Sequence, residues 1–294
     1  MSTVTGKTNN TFSQIFKLYS QTNLSVTVET IDGLLSIDPN YVLIGLIVSF
    51  FVMEMAFSRP SLFGGKFKHL FQNFLFQLIA IALGSLLGLM IVLTFDWINT
   101  HEFGLFYWIS VPFWFKLIAG IFLIDMADYW LHRMDHTFPL LWRQHRVHHS
   151  DTLMDASTAL RQFPTELIYF TSGELLISVI FGLGIQSMNI FLFLLLPVFF
   201  FQHANLNYPD WLDKIMGWLI VTPNYHKVHH EQNQYYTDTN YGTLLIIWDR
   251  LFGTFSTKPV KDIRYGLKEF EGDEKQSFLY LIRSPFMTIK REKE

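Results

Sequence analysis

Apolar residues run almost unbroken at five places along the chain, about 41–57, 74–95, 105–124, 167–183 and 188–202. The run at 74–95 carries no charge over 22 residues, enough at about 1.5 Å per residue to cross a hydrocarbon core of about 30 Å. Gly84 and Gly88 sit one turn apart in it, small residues that let helices approach closely. The first run holds Glu54 near its end, and the third holds Lys116, whose long stem either snorkels or points into a bundle. Only "GIQS" separates the last two runs, which predicts a tight hairpin that partly crosses. The pattern predicts an all-α integral membrane protein with four to five membrane-embedded helices.

Lys and Arg in the connecting segments set the expected sidedness. Segment 58–73 has Arg59, Lys66 and Lys68 and no acid, whereas 96–104 has Asp96 and Glu102 and no base. Segment 132–166 carries Arg133, Arg143, Arg146 and Arg161. Alternating spans then place 58–73, a histidine-rich helical cap and the C-terminal third on the cytoplasmic side, in a bacterial inner membrane or the endoplasmic reticulum. The opening "MSTVTGKTNN" lacks the basic-then-apolar order of a cleavable signal peptide. The expected organisation is an N-terminal lead-in at 1–40, one membrane-embedded domain at 41–256 and a cytoplasmic tail at 257–294, read as a solvated cap. Within the domain, "NYGTLLIIWDRLFGTF" at 240–255 reads as a turn into a short amphipathic helix ended by Gly253.

Composition agrees with the pattern. Of 294 residues half are hydrophobic and 16% are charged, against about 25% charged in ordinary soluble domains. The net charge of −3 gives no basis for nucleic-acid binding. Cysteine is absent, which excludes disulfides, thiolate metal sites and iron–sulfur clusters. A metal ion here would be held by nitrogen and oxygen.

The chemistry lies in the histidines. Eight of the 11 fall into three words, "HRMDH" at 132–136, "HRVHH" at 145–149 and "HKVHH" at 226–230. On a helix, positions i, i+3 and i+4 share a side, so each word offers two or three imidazoles together: His132 and His136; His145, His148 and His149; His226, His229 and His230. His203, in "FQHANLN" at the end of the last apolar run, makes a ninth, with Asn207 one turn on as a further candidate. A single zinc takes three or four protein ligands. Nine nitrogens instead fit two ions with four or five each, suited to iron, zinc, copper or nickel. His69 and His101 stand alone and read as ordinary core or surface residues.

The stretches "DMADYWLHRMDH", "LWRQHRVHHSDTLMDASTALR", "FQHANLN" and "TPNYHKVHH…TNYGTLLIIWDRLFGTF" resemble the fatty acid hydroxylase/sterol desaturase family of membrane di-iron enzymes. The resemblance covers about 121–256. It implies two iron ions held by the nine histidines, with zinc able to substitute in purified samples. It also implies O2 as co-substrate and hydroxylation or desaturation of a membrane lipid. Two positions depart from the family pattern: Phe163 stands in "RQFPTE" where many relatives have histidine, and Asn207 where others have a second histidine.

Ligating imidazoles need an acceptor on the other ring nitrogen. Asp125 and Asp128, seven and four residues before His132, are the favoured acceptors, with Asp151, Asp155, Glu166 and Asp238 behind them. Asn240 and Gly242 read as a turn, Trp248 as packing, and Trp97, Trp108, Trp130 and Trp142 as interfacial anchors. No dinucleotide fingerprint or haem-binding segment is present, so electrons are expected from a separate donor such as a cytochrome b5 or ferredoxin. Arg133, Arg143, Arg146 and Lys227 are the expected docking cations. "STALRQ" at 157–162 is reminiscent of a glyceryl-ether monooxygenase using a pterin reductant. A metal transporter or sensor would need histidines at mid-membrane depth. A zinc hydrolase would need HExxH, which is missing.

Overall fold

Prolines set the corners of this fold. The computed structural model describes residues 39–57 and 65–290, and among them every regular element is a helix, apart from two isolated bridges. The elements that matter are α1 Pro39–Phe57, α2 Lys66–His101, α3 Phe113–Thr137, α4 Pro139–His149, α5 Pro164–Phe181, α6 Ile185–His203, α7 Asp210–Met216 and α8 Pro223–His229. A residue before proline is driven out of the helical region, and a proline suits the first helical turn. Phe138, Phe163 and Thr222 accordingly have ψ of 118°, 135° and 158° just before Pro139, Pro164 and Pro223. The Phe138–Pro139 corner turns the chain sharply from α3 into α4, so the two histidine words they carry face each other.

By length and composition, two segments suffice to cross a membrane, Lys66–Trp108, which contains α2, and Ile185–His203, while Tyr41–Phe57 is apolar but shorter. The expected run 105–124 divides at 109–112, where Ser110 takes φ 50° and Pro112 starts α3. α5 and α6 form the expected hairpin across three residues, with left-handed Gly182 closing α5. Two compact units divide at Gly45 and Leu46, and the bundle belongs to the second. In it α3 packs between α5 and α6, and α2 lies along α5. The core between them is built from residues such as Phe95, Ile124, Leu175, Met188 and Phe191. Outward, α2 shows Leu86, Leu89, Val92 and Leu93, an apolar surface that water would not tolerate over such a length. Buried Glu54 bonds Lys66 Nζ at 2.9 Å and accepts the backbone N–H groups of Ala156 and Asn205 at 2.8 and 2.9 Å, tying α1, α2 and the two loops together.

Three expectations need correction. The tail is no solvated cap, because Leu267, Phe270 and Leu281 are buried against Phe76, Val147 and Phe163. Arg146 and Lys227 are not exposed docking cations: both are buried, and Arg146 donates to the carbonyls of Ser284, Met287 and Ile289 in the tail. Trp142 is not only an anchor, since its ring lies 5.1 Å from that of His136 and 5.5 Å from that of His149. The lead-in, but for the start of α1, together with Arg59 and residues 291–294, lies outside the described residues.

Candidate metal centre

Nine histidines converge in two adjoining groups: His132, His136, His145, His149 and His229 form one, and His148, His203, His226 and His230 the other. In each group one ring nitrogen per residue lies within 4.8 Å of all the others. Both HxxHH words divide between the groups in the same way. His145 and His149 go to the first group and His148 to the second; His226 and His230 go to the second and His229 to the first. At about 100° per residue, i and i+4 lie about 40° apart on a helix, while i+3 lies about 60° to the other side of i. One turn of helix thus serves two centres. The groups share a wall where the rings of His149 and His230 stack at 4.5 Å.

Ring orientation is fixed from outside. Nδ1 of His132 donates to the Tyr241 carbonyl, that of His229 to Thr239 and that of His203 to Phe199, each at 2.7 Å, and that of His148 faces the Arg161 carbonyl at 3.3 Å. His136 Nδ1 meets Asp238 Oδ1 at 3.2 Å. A carbonyl only accepts, so those Nδ1 atoms carry the proton and the Nε2 of a neutral ring is a bare lone pair. Yet Nε2 of His203 lies 3.0 Å from Nε2 of His148 and of His226, and Nε2 of His132 lies 3.1 Å from that of His145. His149 and His145 meet in the same way at 3.1 Å, and His230 and His226 at 3.2 Å.

In the His148–His203 pair both Nδ1 atoms are directed at carbonyls, so two Nε2 lone pairs face each other and repel unless a cation lies between them. Two nitrogens about 2.1 Å from one ion and about 90° apart would be about 3.0 Å from each other, as observed. Burial and neighbouring rings hold His132, His148, His149, His226 and His230 well below the usual range, and His229 at about 3. Neutral imidazole is the form that binds metal. The donor set fits two cations.

The favoured acids play another part. Asp125 contacts no histidine; it accepts Thr243 Oγ1, the N–H groups of Leu244 and Leu245, and Trp248 Nε1 at 2.7–3.2 Å. Asp249 likewise takes the N–H groups of Tyr241 and Gly242, both at 2.8 Å. Together they fix the loop whose Tyr241 carbonyl holds His132. Trp248 therefore does more than pack, and residues 240–242, expected as a turn, run without one, although Asn240 is left-handed at φ 55°. Asp128 is buried with Oδ1 unpartnered and touches no ring nitrogen within hydrogen-bonding distance. Glu166 and Asp135 approach His145 Nδ1 at 3.6 and 3.8 Å. Burial raises Glu166 well above the carboxylate range and Asp135 to about 7.

Asp151 and Asp155 bracket His69 at 2.7 and 3.3 Å, making that residue a satisfied buried group, while exposed His101 bonds the Trp97 carbonyl. Asn207 is exposed and belongs to neither group: α6 ends at His203, Ala204 is extended at ψ 137°, and the one-turn spacing is lost. Phe163 packs under the tail, its ring 6.2 Å from Phe286. The backbone carbonyls of Phe199, Thr239 and Tyr241 carried no signal in the sequence, because every residue has one.

The model of the fatty acid hydroxylase family matches residues 117–254, a stretch that contains all nine of these histidines. Residues 117–254 belong to the fatty acid hydroxylase family. Over 183 residues the chain is 38% identical to the alkylglycerol monooxygenase of Danio rerio, a match covering 58% of this chain and 36% of that protein. The alkylglycerol monooxygenase of Homo sapiens is 35% identical over 176 residues, with 58% and 36% covered. Ornithine lipid hydroxylase OlsE of Rhizobium tropici is 29% identical over 154 residues, with 50% and 44% covered. The hydroxylase match thus spans well under half the length of these relatives. No solved structure matches the chain.

Proposed function

We propose that this chain is an O2-dependent oxidoreductase that holds two iron ions and hydroxylates or desaturates a membrane lipid. The observation that carries the reading is the convergence of nine ring nitrogens in groups of five and four, with facing Nε2 lone pairs at His148 and His203. The group of five would hold one ion and the group of four the other. When bound, the pair supplies the electrons and Lewis acidity that activate O2 toward an alkyl C–H bond. The protein's own part is to aim nine rings through their Nδ1 atoms, to exclude water, and to keep the rings neutral by burial. His203 joins the end of an apolar helix directly to the second group, so a chain lying among lipids has a short way to the centre.

Relatives named for alkylglycerols and for ornithine lipid support a lipid substrate with a polar head. A second reading is a glyceryl-ether monooxygenase that takes electrons from a pterin; the 38% identity to the alkylglycerol enzyme is what motivates it. In the first reading the donor is a separate protein such as a cytochrome b5 or ferredoxin, and exposed Arg143 and half-buried Arg133 are what remains of the expected docking cations. The histidine groups would face the cytoplasm.

The test is iron and zinc per chain in protein from an iron-replete host, beside the double variant His148→Ala/His229→Ala, which removes one nitrogen from each group. Two metals per chain, reduced in the variant, are expected. Membranes expressing the active protein should then accumulate an oxidised lipid that the variant does not make. Loss of an ether lipid on addition of tetrahydropterin would select the second reading, and a hydroxylated or unsaturated acyl chain the first. Fewer than one metal per chain, unchanged in the variant, would overturn both.

A further inference from the structure

Helix α7 buries one acid and exposes large apolar side chains beside two charged ones, Asp210 and Lys214. Asp213 faces the protein, accepting Tyr208 Oη at 2.7 Å and Asn224 Nδ2. Trp211, Ile215, Trp218 and Leu219 face outward, 56, 65, 68 and 55% exposed. Bulky apolar side chains mixed with charges on one outer face suit the boundary between lipid and water.

Its depth is set by its neighbours. The backbone N–H of Asn207 donates to the Phe57 carbonyl at 3.1 Å, so α7 begins three residues after the chain meets the end of α1 and seven after the end of α6. Arg250 then bonds the Gly217 carbonyl at 2.7 Å and lies over the rings of Trp218 and Phe255 at 4.7 and 3.9 Å. That contact joins α7 to the short helix Ile247–Leu251, where Leu251 is 68% exposed. Phe252 next to it touches Trp130 on α3 at 5.0 Å, and Trp130 continues an exposed line of Ile118 and Phe122 along that helix. The apolar surface is therefore continuous from the flank of the bundle to α7. Tryptophans and an arginine with a buried stem are the side chains that settle at the headgroup level.

We propose that α7, with Trp218 and Leu219, and the short helix ending in Leu251 and Phe252 lie in the interfacial layer of the bilayer, sinking the histidine-bearing part of the chain to headgroup depth. The occupant of this face is lipid, as its continuity with the bundle's apolar flank and its exposed tryptophans beside charged groups both require. One consequence is that a lipid needs little displacement out of its leaflet to approach the histidines. The inference does not depend on which metal they bind.

Because the chain has no cysteine, single cysteines can be spin-labelled without background. Ile215→Cys and Leu251→Cys, with Leu86→Cys on α2 as the lipid reference and exposed Glu274→Cys as the aqueous one, are placed in phosphatidylcholine nanodiscs. Collision with oxygen is compared with collision with chromium(III) oxalate, which does not exchange with histidine. Labels at 215 and 251 should favour oxygen over the chromium complex several-fold more than the label at 274, and fall between 86 and 274 in depth. Values matching those at 274 would overturn the proposal. Shielding from both reagents with dipolar broadening would overturn it in favour of a second copy covering the face. Leu219→Cys repeats the reading should either first variant fail to fold.

Discussion

Asp125 has four donors aimed at two oxygens, all from residues 243–248. Asparagine keeps the size but turns an NH2 group toward N–H donors, leaving at least one buried donor unpaired at about 1–3 kcal/mol each. Asp125→Asn should therefore cost about 2–4 kcal/mol and lower the apparent Tm in detergent; an unchanged Tm would show that the loop is held elsewhere. A second change separates the two centres. Asp238→Ala removes the acceptor facing His136 Nδ1, together with the partner of Gln234 Nε2, and losses of this kind weaken metal binding about 10–100-fold. Chelator titration should strip one metal of two more easily than in the parent, and parallel loss of both would sink the assignment. At this scale the histidines were legible because three words of the same residue at helical spacing leave a strong mark. Their supports were not. Carbonyls of Tyr241, Thr239 and Phe199 have no sequence signature, and Asp125 was legible as a buried acid beside His132 but not as the holder of a distant loop.

Among elements, the apolar runs were legible as helices, while the corners at Pro139, Pro164 and Pro223 went unread, since Pro197 sits inside α6 and proline alone does not mark a corner. What the sequence did not disclose is how the elements dock, because that depends on shape. Charged residues beyond 256 suggested a solvated tail, yet Leu267, Phe270 and Leu281 reach the underside of α4. Arg146, one residue after His145, holds that tail through three carbonyls. Arg146→Ala should leave those carbonyls without a charged donor, at about 2–4 kcal/mol, and protease sites between 257 and 290 should open well before the bundle unfolds. Uniform resistance would show that apolar packing alone suffices. Loss of iron alongside tail release would further tie the tail to α4. The junction of α2 and α5 is equally specific: Gly104 has φ 112° and a Cβ there would lie 2.2 Å from the Gly182 nitrogen, so neither helix end could stay where it is.

For the whole molecule, the opposing titrations decide how it responds to acid. Seven histidines outside the spans have pKa values depressed by burial, reinforced in all but His145 by neighbouring rings, His229 from 6.5 to about 3. Once unfolded, such rings take up protons that the folded state refuses, so each favours unfolding as pH falls below about 6.5. Five buried acids act in the other direction: Asp125, Asp135 and Asp249 are raised to about 6, about 7 and about 6, and Asp128 and Glu166 well above their usual values, so folding helps them keep a proton over that range. Seven against five leaves a net loss on acidification. Chelator-treated protein should show an apparent Tm that falls steadily from pH 7 to pH 5. Bound metal excludes protons from the same nitrogens, so the loaded protein starts from a higher Tm and drops abruptly once protons displace the ions. Parallel curves for the two forms would mean that the metal sits elsewhere than on these rings. A flat curve for the stripped form would mean that water already reaches them. Only rings that are both buried and ligating give the two different shapes, which makes a pair of melting series a test of the centre that needs no substrate.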